Sequence, residues 1–233
     1  TAKKFGLSAV SVINSTHPGA MGSIALRAAE KGYICFAFTH ADALIRSTNG
    51  KRPFFGTNPI CFTAPRKNEV PYCLDMSSSI ISWNKLMEMR KIKKKSKIVY
   101  GSNNLGKNTK YLNHIVSLLP TGDYKGFALA SMIEILCGIY SGMDFGRQIK
   151  PMYKNSLKVK RRLSQFYILL KVDGVTSKKS FLNRMQILTN QVRSEPKLKA
   201  KNKVMLPNDP EMQISKIRLS EGIPLSKELF LDF

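Results

Sequence analysis

Three short segments carry side chains suited to acid–base or ligand chemistry. The first is Asn14-Ser15-Thr16-His17-Pro18-Gly19, a polar turn that leaves an apolar run and enters a helical pattern. An imidazole there titrates near neutral pH, and in open α/β sheets ligands bind at the carboxyl ends of strands. His17 is equally well read as a solvent-exposed loop histidine. The second is Asp75, which ends an apolar run and precedes Met76 and three serines. Its carboxylate suits either ribose hydroxyls or the cap of a helix N-terminus. The third is Lys125 in Asp123-Tyr124-Lys125-Gly126, at the start of an apolar helix. A lysine there opposes the helix dipole, so a cofactor phosphate or substrate carboxylate would be its natural partner. His40 and His114 read as structural. Cys35, Cys61, Cys73 and Cys137 lie in apolar contexts and read as small buried hydrophobes. No G-x-G-x-x-G, Walker A, H-E-x-x-H or C-x-x-C motif is present.

The elements that position these residues follow from periodicity. Residues 7–13 and 33–39 are short, apolar and β-branched or aromatic, and they predict strands. Between them, residues 20–31 place apolar side chains at helical spacing before Gly32. Strand, helix, strand predicts a parallel pair. Residues 40–53 read as loop, 60–64 and 72–75 as strands, and 77–89 as a helix capped by Ser77 or Ser78. Residues 124–141 form the most apolar helix pattern and predict burial all round. A strand over 165–172, a helix over 177–195 and, over 204–211, a strand running into a turn at Pro207–Pro210 complete the reading. The last 20 residues read as a short helix or an extended tail.

The chain has 233 residues, 38 Lys+Arg and 15 Asp+Glu, for a net charge of +23. Residues 90–110 hold eight basic side chains and no acid, and 146–203 hold 16 basic and two acidic. The remainder has 14 basic and 13 acidic residues, close to neutral. The surplus is lysine-rich and lacks interleaved aromatics, so it reads as solvated surface rather than a nucleic-acid platform. The composition is too apolar for a disordered tail, and no apolar run spans a bilayer. No leader is recognisable at the start of the chain, and a reduced, cytoplasmic compartment is expected.

Taken in order, several motifs resemble the malate/L-lactate dehydrogenase-like oxidoreductases. They are Asn14-Ser15-Thr16-His17…Gly19, Ala28-Ala29-Glu30-Lys31-Gly32, Gly56-Thr57-Asn58-Pro59, Leu74-Asp75-Met76, Tyr124-Lys125-Gly126 and Glu134-Ile135-Leu136-Cys137-Gly138. Gln165-Phe166, Pro207…Asp209-Pro210-Glu211 and Glu221-Gly222-Ile223-Pro224-Leu225 resemble the closing segments. The resemblance implies an α/β fold with a mixed sheet and flanking helices, like malate/L-sulfolactate dehydrogenases and unlike the Rossmann type. Residues 1–145 would form the NAD(P)-binding domain, and 146–233 would complete the sheet and a helical subdomain. It implies NAD or NADP, a small 2-hydroxy or 2-oxo acid substrate, and a homodimer. His17 matches the family's proton donor/acceptor. Asp42, Asp75, Met76, Ser77, Lys125, Gly126, Asn208 and Asp209 match cofactor-binding positions, and Thr57 and Asn58 support the substrate. Asp42 argues against a 2′-phosphate, whereas Arg46, Lys51 and Arg52 argue for one, so the choice between NAD and NADP stays open.

Five departures weigh on turnover rather than on fold. The family's helical segment before the first strand, with its Ser-His-Gly motif and substrate arginine, has no counterpart here. Pro120-Thr121-Gly122-Asp123 is shorter than the family's insertion. Asn208 replaces a glycine, which Asn's tolerance of left-handed backbone softens. The loop 45–52 lacks the family's Pro and Gly pattern, and Pro18 replaces an aromatic. A catalytically impaired, truncated member is therefore the second reading, and a basic nucleic-acid-binding module the third.

Overall fold

The computed structural model describes residues 1–152, 155–156, 158–225 and 230. A helical turn, α1 (Ala2–Phe5), leads into edge strand β1 (Leu7–Ser15). Helix α2 (Gly22–Glu30) and strand β2 (Tyr33–Thr39) follow, then short strands β3 (Ile45–Arg46) and β4 (Pro53–Phe55). Strands β5 (Ile60–Ala64) and β6 (Tyr72–Met76) form a hairpin. Helix α3 (Trp83–Ile92) precedes β7 (Gly101–Ser102), β8 (Asn108–Thr109) and β9 (Ser117–Leu118). Helix α4 (Tyr124–Glu134) continues through a π-helical turn, Ile135–Ile139. Strand β10 (Leu163–Lys171) and helices α5 (Lys178–Ser194) and α6 (Asp209–Glu221) complete the order.

The main sheet has the order β1-β10-β2-β5-β6, and every neighbouring pair is antiparallel. The parallel pair predicted for β1 and β2 is thus corrected. The two strands run in the same direction, but β10 lies between them and bonds to both. Its near-continuous apolar run suits an interior strand. Side chains of β2 alternate between two helical layers, as a period of two requires. Cys35 and Ala37 pack with Met21, Ala25, Cys61 and Cys73 on the α2 side. Phe38, with Phe166 of β10, packs against Ile133 and Cys137 on the α4 side. The short strands form a second sheet, β4-β3-β9-β7-β8, beside a core of Leu86, Leu112, Ile115 and Leu118. Among the described residues no helix is long and apolar enough to cross a membrane.

Three other expectations are corrected. Helix α3 begins at Trp83, with Ser82 as its cap accepting from the Lys85 N–H at 3.2 Å. Ser77, Ser78 and Ser79 instead bond to the carbonyls of Ser79, Thr57 and Ile81, which builds a turn. The apolar helix after Tyr124 is buried on one face only. Gly126, Ala130 and Ile133 point inward, whereas Ile135, Ile139 and Tyr140 are more than half exposed. A single sheet face cannot cover a helix that is apolar all round. Residues 204–211 form no strand. Pro207 and Pro210 cannot donate to a ladder, and Pro210 instead sits in the first turn of α6, where its missing N–H costs nothing.

Two polar nodes hold the loops. The side chain of Asn58, fully buried, accepts from the Ala41 N–H at 3.1 Å and donates to the Ala130 carbonyl at 2.9 Å and to Glu134 Oε2 at 2.6 Å. Glu134 Oε1 accepts the Gly146 N–H, so one buried pair joins four segments. Burial raises the Glu134 pKa, and the Gly146 and Asn58 hydrogen bonds oppose that rise. The second node anchors α6, which buries no residue of its own. Asp209 Oδ1 accepts from Arg66 Nη1 at 3.1 Å and Arg193 Nη2 at 2.8 Å. Its Oδ2 accepts from Arg193 Nε at 3.1 Å and the Leu206 N–H at 3.0 Å.

Replacing Asn58 by Ala strands the Glu134 carboxylate and the Ala41 N–H away from water. The expected loss is about 3 kcal/mol in urea unfolding, with the slope unchanged; a loss under about 1 kcal/mol would show that the node is not structural. Hydrogen bonds from Arg193, foremost, hold the Asp209 carboxyl well below the usual carboxylate range. A depressed pKa stabilises the fold above the unfolded value and loses that contribution as acid protonates the group. Stability should therefore fall as pH drops below about 5, and Asp209→Asn should flatten that slope while lowering stability near neutral pH. A slope identical in the variant would refute the latch.

Candidate active site

One transverse row of paired residues crosses the sheet: Ser11, Phe166, Phe38, Ile60 and Met76. Strands β1, β2 and β6 run in one direction, so their carboxyl ends lie on the same rim beyond this row. Four inter-strand steps make the rim about 19 Å long. His17, Asp42 and the Ser77–Ser79 turn follow those three ends. Thr57 and Asn58 enter β5 from the same side, and Arg161 enters β10 there too.

The segment carrying His17 leaves β1 and crosses the rim to α2. Its near end is tied by Gln165, whose Nε2 donates to Ser15 Oγ at 2.8 Å and to the Thr16 carbonyl at 3.1 Å. Its far end is tied by Asp75, whose Oδ2 accepts the Gly22 N–H at 2.7 Å. This hydrogen bond places Asp75 at the N-terminus of α2. Gly22 lets the backbone approach closely: a Cβ there would lie 3.1 Å from Cys73 Sγ and 3.2 Å from Asp75 Oδ2, so those side chains would have to give way. Burial raises the Asp75 pKa, partly offset by the Gly22 hydrogen bond.

His17 is exposed at the rim. Its Nδ1 accepts the Gly19 N–H at 3.0 Å, so the neutral ring carries its hydrogen on Nε2. Partial desolvation, then the positive charge of Arg161, lower its pKa, and Asp42 opposes the shift. Asp42 itself is buried and accepts from Arg161 Nη2. Next to it, His40 is buried and donates from Nε2 to the Asp144 carbonyl at 2.9 Å. Burial lowers the His40 pKa too, and its Nδ1 has no partner among the described residues.

At the β6 end, Asp75 and Asn208 line one cavity of about 520 Å³ together with Lys203 and Glu211. Asn208 adopts the left-handed conformation, φ 78°, that the family's glycine would supply, and donates to the Pro71 carbonyl at 3.2 Å. Asp209 lines an adjoining cavity of about 640 Å³ with Arg66, Arg193, Lys197 and Lys216; Lys203 lies between the two. Both Asp209 oxygens are engaged in the latch described above. Met76 closes β6, and the hydroxyl of Ser77 stays within its own turn. Lys125 is exposed at the start of α4, close to that turn, because Thr121 donates its N–H to the Ser78 carbonyl at 2.9 Å. Gly126 is required there: a Cβ would lie 2.4 Å from the Thr121 carbonyl oxygen and 2.6 Å from that of Ser78. The Thr57 carbonyl accepts from the Ser78 N–H and hydroxyl, and the Asn58 amide is spent inside the protein.

The structure thus gathers His17 and Asp42 at one part of the rim and Asp75 and Asn208 at another, with Asp209, Lys125 and Gly126 flanking the second group. Sequence reasoning missed Arg161 and Arg66. Arg161 belongs to the basic stretch read as solvated surface, yet its side chain is 10% exposed and ion-paired. In the sequence it stands beside Arg162 ahead of β10, among lysines, and nothing in that pattern marks it out.

Comparisons with known proteins agree with this architecture. The malate dehydrogenase of Pyrococcus abyssi is 29% identical over 98% of this chain and 64% of its own length. The ureidoglycolate dehydrogenase (NAD(+)) of Escherichia coli K12 is 25% identical over 99% of the chain and 66% of its own length. The (2R)-3-sulfolactate dehydrogenase (NADP(+)) of Chromohalobacter salexigens is 33% identical over 66% of the chain and 46% of its own length. Among solved structures, malate dehydrogenase from Entamoeba histolytica superposes with a TM-score of 0.88 at 26% identity, covering 99% of this chain and 68% of that one. The chain spans a little under two thirds of the length of the first two of these relatives. The family model for malate/L-lactate dehydrogenase matches residues 1–232, and the chain belongs to that family.

Proposed function

We propose that this chain serves hydride transfer between NAD or NADP and a small 2-hydroxy or 2-oxo acid. The observation that carries the reading is the neutral His17 imidazole, held by the Gly19 N–H over the same strand-end rim that holds the Asp75 and Asn208 cavity. Relatives that use NAD or NADP on hydroxy acids, by their names, support it. The residues fit a nicotinamide dinucleotide. The two adjoining cavities are of ligand-binding size. Asp75 Oδ1 takes no hydrogen bond among the described residues and can accept from a ribose hydroxyl. Lys203, Lys197 and Lys216 supply positive charge for phosphates. The bound cofactor supplies the hydride chemistry; the protein supplies orientation and the proton. A homodimer belongs to the same proposal, and the exposed Leu7, Val10, Val12 and Ile13 of β1 offer apolar surface for it.

In the ring as held, Nε2–H donates a hydrogen bond to a substrate carbonyl oxygen. Full proton transfer in either direction requires the ring to release Gly19, because the imidazolium carries hydrogens on both nitrogens. Oxidation of a hydroxy acid needs the neutral ring, and reduction of an oxo acid needs the protonated one. The lowered pKa therefore favours oxidation at neutral pH, with a midpoint below 6.5.

Purified protein is mixed with NADH or NADPH and a panel of 2-oxo acids, and with the oxidised cofactors and 2-hydroxy acids, while nicotinamide absorbance is followed. The kcat/KM for oxidation should rise, and that for reduction fall, as pH increases through the His17 midpoint. His17→Asn should lower kcat by about 10²–10⁴ while cofactor binding persists. Cofactor binding without turnover of any substrate would sink the activity. Turnover unaffected by His17→Asn would remove His17 from the proton step.

A further inference from the structure

The basic stretch 90–110 folds into one continuous flank of the second sheet. Lys91 lies in the last turn of α3, and residues 93–97 follow it. That run is bonded to the segment after β8. The Leu112 N–H donates to the Lys94 carbonyl at 3.1 Å, the Ser96 N–H donates to the Lys110 carbonyl at 2.9 Å, and Lys95 forms a bridge with Tyr111. Lys91, Lys93, Lys94, Lys95 and Lys97 are exposed, as are Lys107 and Lys110 on the adjoining edge. None of these seven lysines pairs with an acid among the described residues. The chain has no acid from Met89 to Gly122, and Glu88 is already held by Lys85 at 3.3 Å. Aliphatic side chains stand among the lysines: Ile92 is 80% exposed and Ile98 is 56% exposed.

We propose that this flank docks on an anionic lipid bilayer, with the lysines at the headgroup phosphates and Ile92 and Ile98 entering the interface. Unpaired ammonium groups of one sign call for a polyanionic partner, and three features select a lipid surface over a nucleic acid. The only arginine of the stretch is turned inward: Arg90 Nε donates to the Leu112 carbonyl at 3.0 Å, and its guanidinium lies 5.3 Å from the Trp83 ring. No free guanidinium fork therefore serves phosphate or base recognition there. The exposed aromatic, Tyr111, already has Lys95 Nζ over its ring at 5.1 Å and the His114 ring at 5.4 Å, so it is a poor platform for stacking a base. Ile92 and Ile98 would gain nothing from a phosphate backbone, whereas the boundary between headgroups and acyl chains takes apolar side chains and ammonium groups together. The docking is peripheral, since no described helix is long and apolar enough to cross a membrane. It does not depend on the function proposed above.

The test is co-sedimentation of the full chain with vesicles of phosphatidylcholine alone and with about 30% phosphatidylserine mixed in. Binding to the mixed vesicles only is expected, and it should weaken as salt is raised from about 0.1 M to about 1 M. Each lysine near an anionic surface contributes about fivefold in partitioning, so the triple variant Lys93→Gln, Lys94→Gln, Lys95→Gln should bind about a hundredfold more weakly. A control triple, Lys158→Gln, Lys199→Gln, Lys201→Gln, removes the same charge from exposed positions elsewhere and should change binding far less. Ile92→Ser should cost about fivefold or more. All the substituted side chains are exposed, and thermal melts check that the variants fold. No binding to the mixed vesicles overturns the proposal. Equal losses in the two triples also overturn it, because they assign adsorption to net charge rather than to this flank. So does unchanged binding in Ile92→Ser. A single-stranded oligonucleotide held through Lys93–Lys95 by a protein that ignores the vesicles gives the flank to nucleic acid instead, and overturns the proposal as well.

Discussion

The architecture depends on one strand doing two jobs. Strand β10 bonds to β1 through Leu7–Ser15 on one side and to β2 through Tyr33–Thr39 on the other. Without it, the edge strand that delivers His17 has no sheet to join, because β1 and β2 do not touch as partners. Its insertion also sets the polarity of the site. Antiparallel pairing on both sides makes β1 and β2 co-directional, and the β5–β6 hairpin restores the same direction at β6. Three carboxyl ends therefore meet on one rim. The partners are about 150 residues apart in sequence, so the rim can be completed only after the C-terminal part of the chain is in place, a non-local closure of the kind that slows folding.

That geometry explains what the sequence disclosed. Elements whose burial is local and periodic were legible: β1, α2, β2, β5, β6, β10 and α5 lie where their patterns put them. The place of β10 was not, since nothing within Gln165–Val172 names the strands it joins. The start of α3 was misread because Ser77 and Ser78 look like caps, whereas a nearby carbonyl, that of Thr57, captures Ser78 first. Residues 204–211 were misread because the apolar Val204–Leu206 run outweighed two prolines. At the site, His17 and Asp75 were singled out because each stands at a strand boundary, and Asn208 only through the family resemblance. Arg161 was not, because its partner Asp42 lies 119 residues away and it sits in a basic run with Lys158, Lys160 and Arg162.

The arginines and lysines divide the chain's large positive charge into two kinds. Arg66 and Arg193 hold Asp209, and Arg161 holds Asp42; the forks of Arg66 and Arg161 are buried, that of Arg193 is partly exposed, and Arg66 and Arg193 brace the start of a helix that buries nothing. Lys91, Lys93, Lys94 and Lys95 are exposed on the second sheet's flank. A guanidinium can satisfy a buried carboxylate in fixed geometry, whereas an ammonium is strongly hydrated and resists burial. The net charge therefore overstates the electrostatic field at the rim, where the buried cations are matched by acids.

The position of the imidazole follows from this arrangement rather than from its own contacts. His17 is exposed, and the protein touches its ring polar atoms through the Gly19 N–H alone among the described residues. What places it is a pair of anchors: Gln165 of β10 on Ser15 and Thr16, and Asp75 of β6 on Gly22. Between these anchors the segment turns at Gly19 and enters α2 at Met21. The acid at the far end of the rim thus helps to aim the base at the near end. Asp75 lines the cavity of about 520 Å³ while its Oδ2 caps α2, so a ligand bound there would meet the same carboxylate that sets the path of the His17 segment.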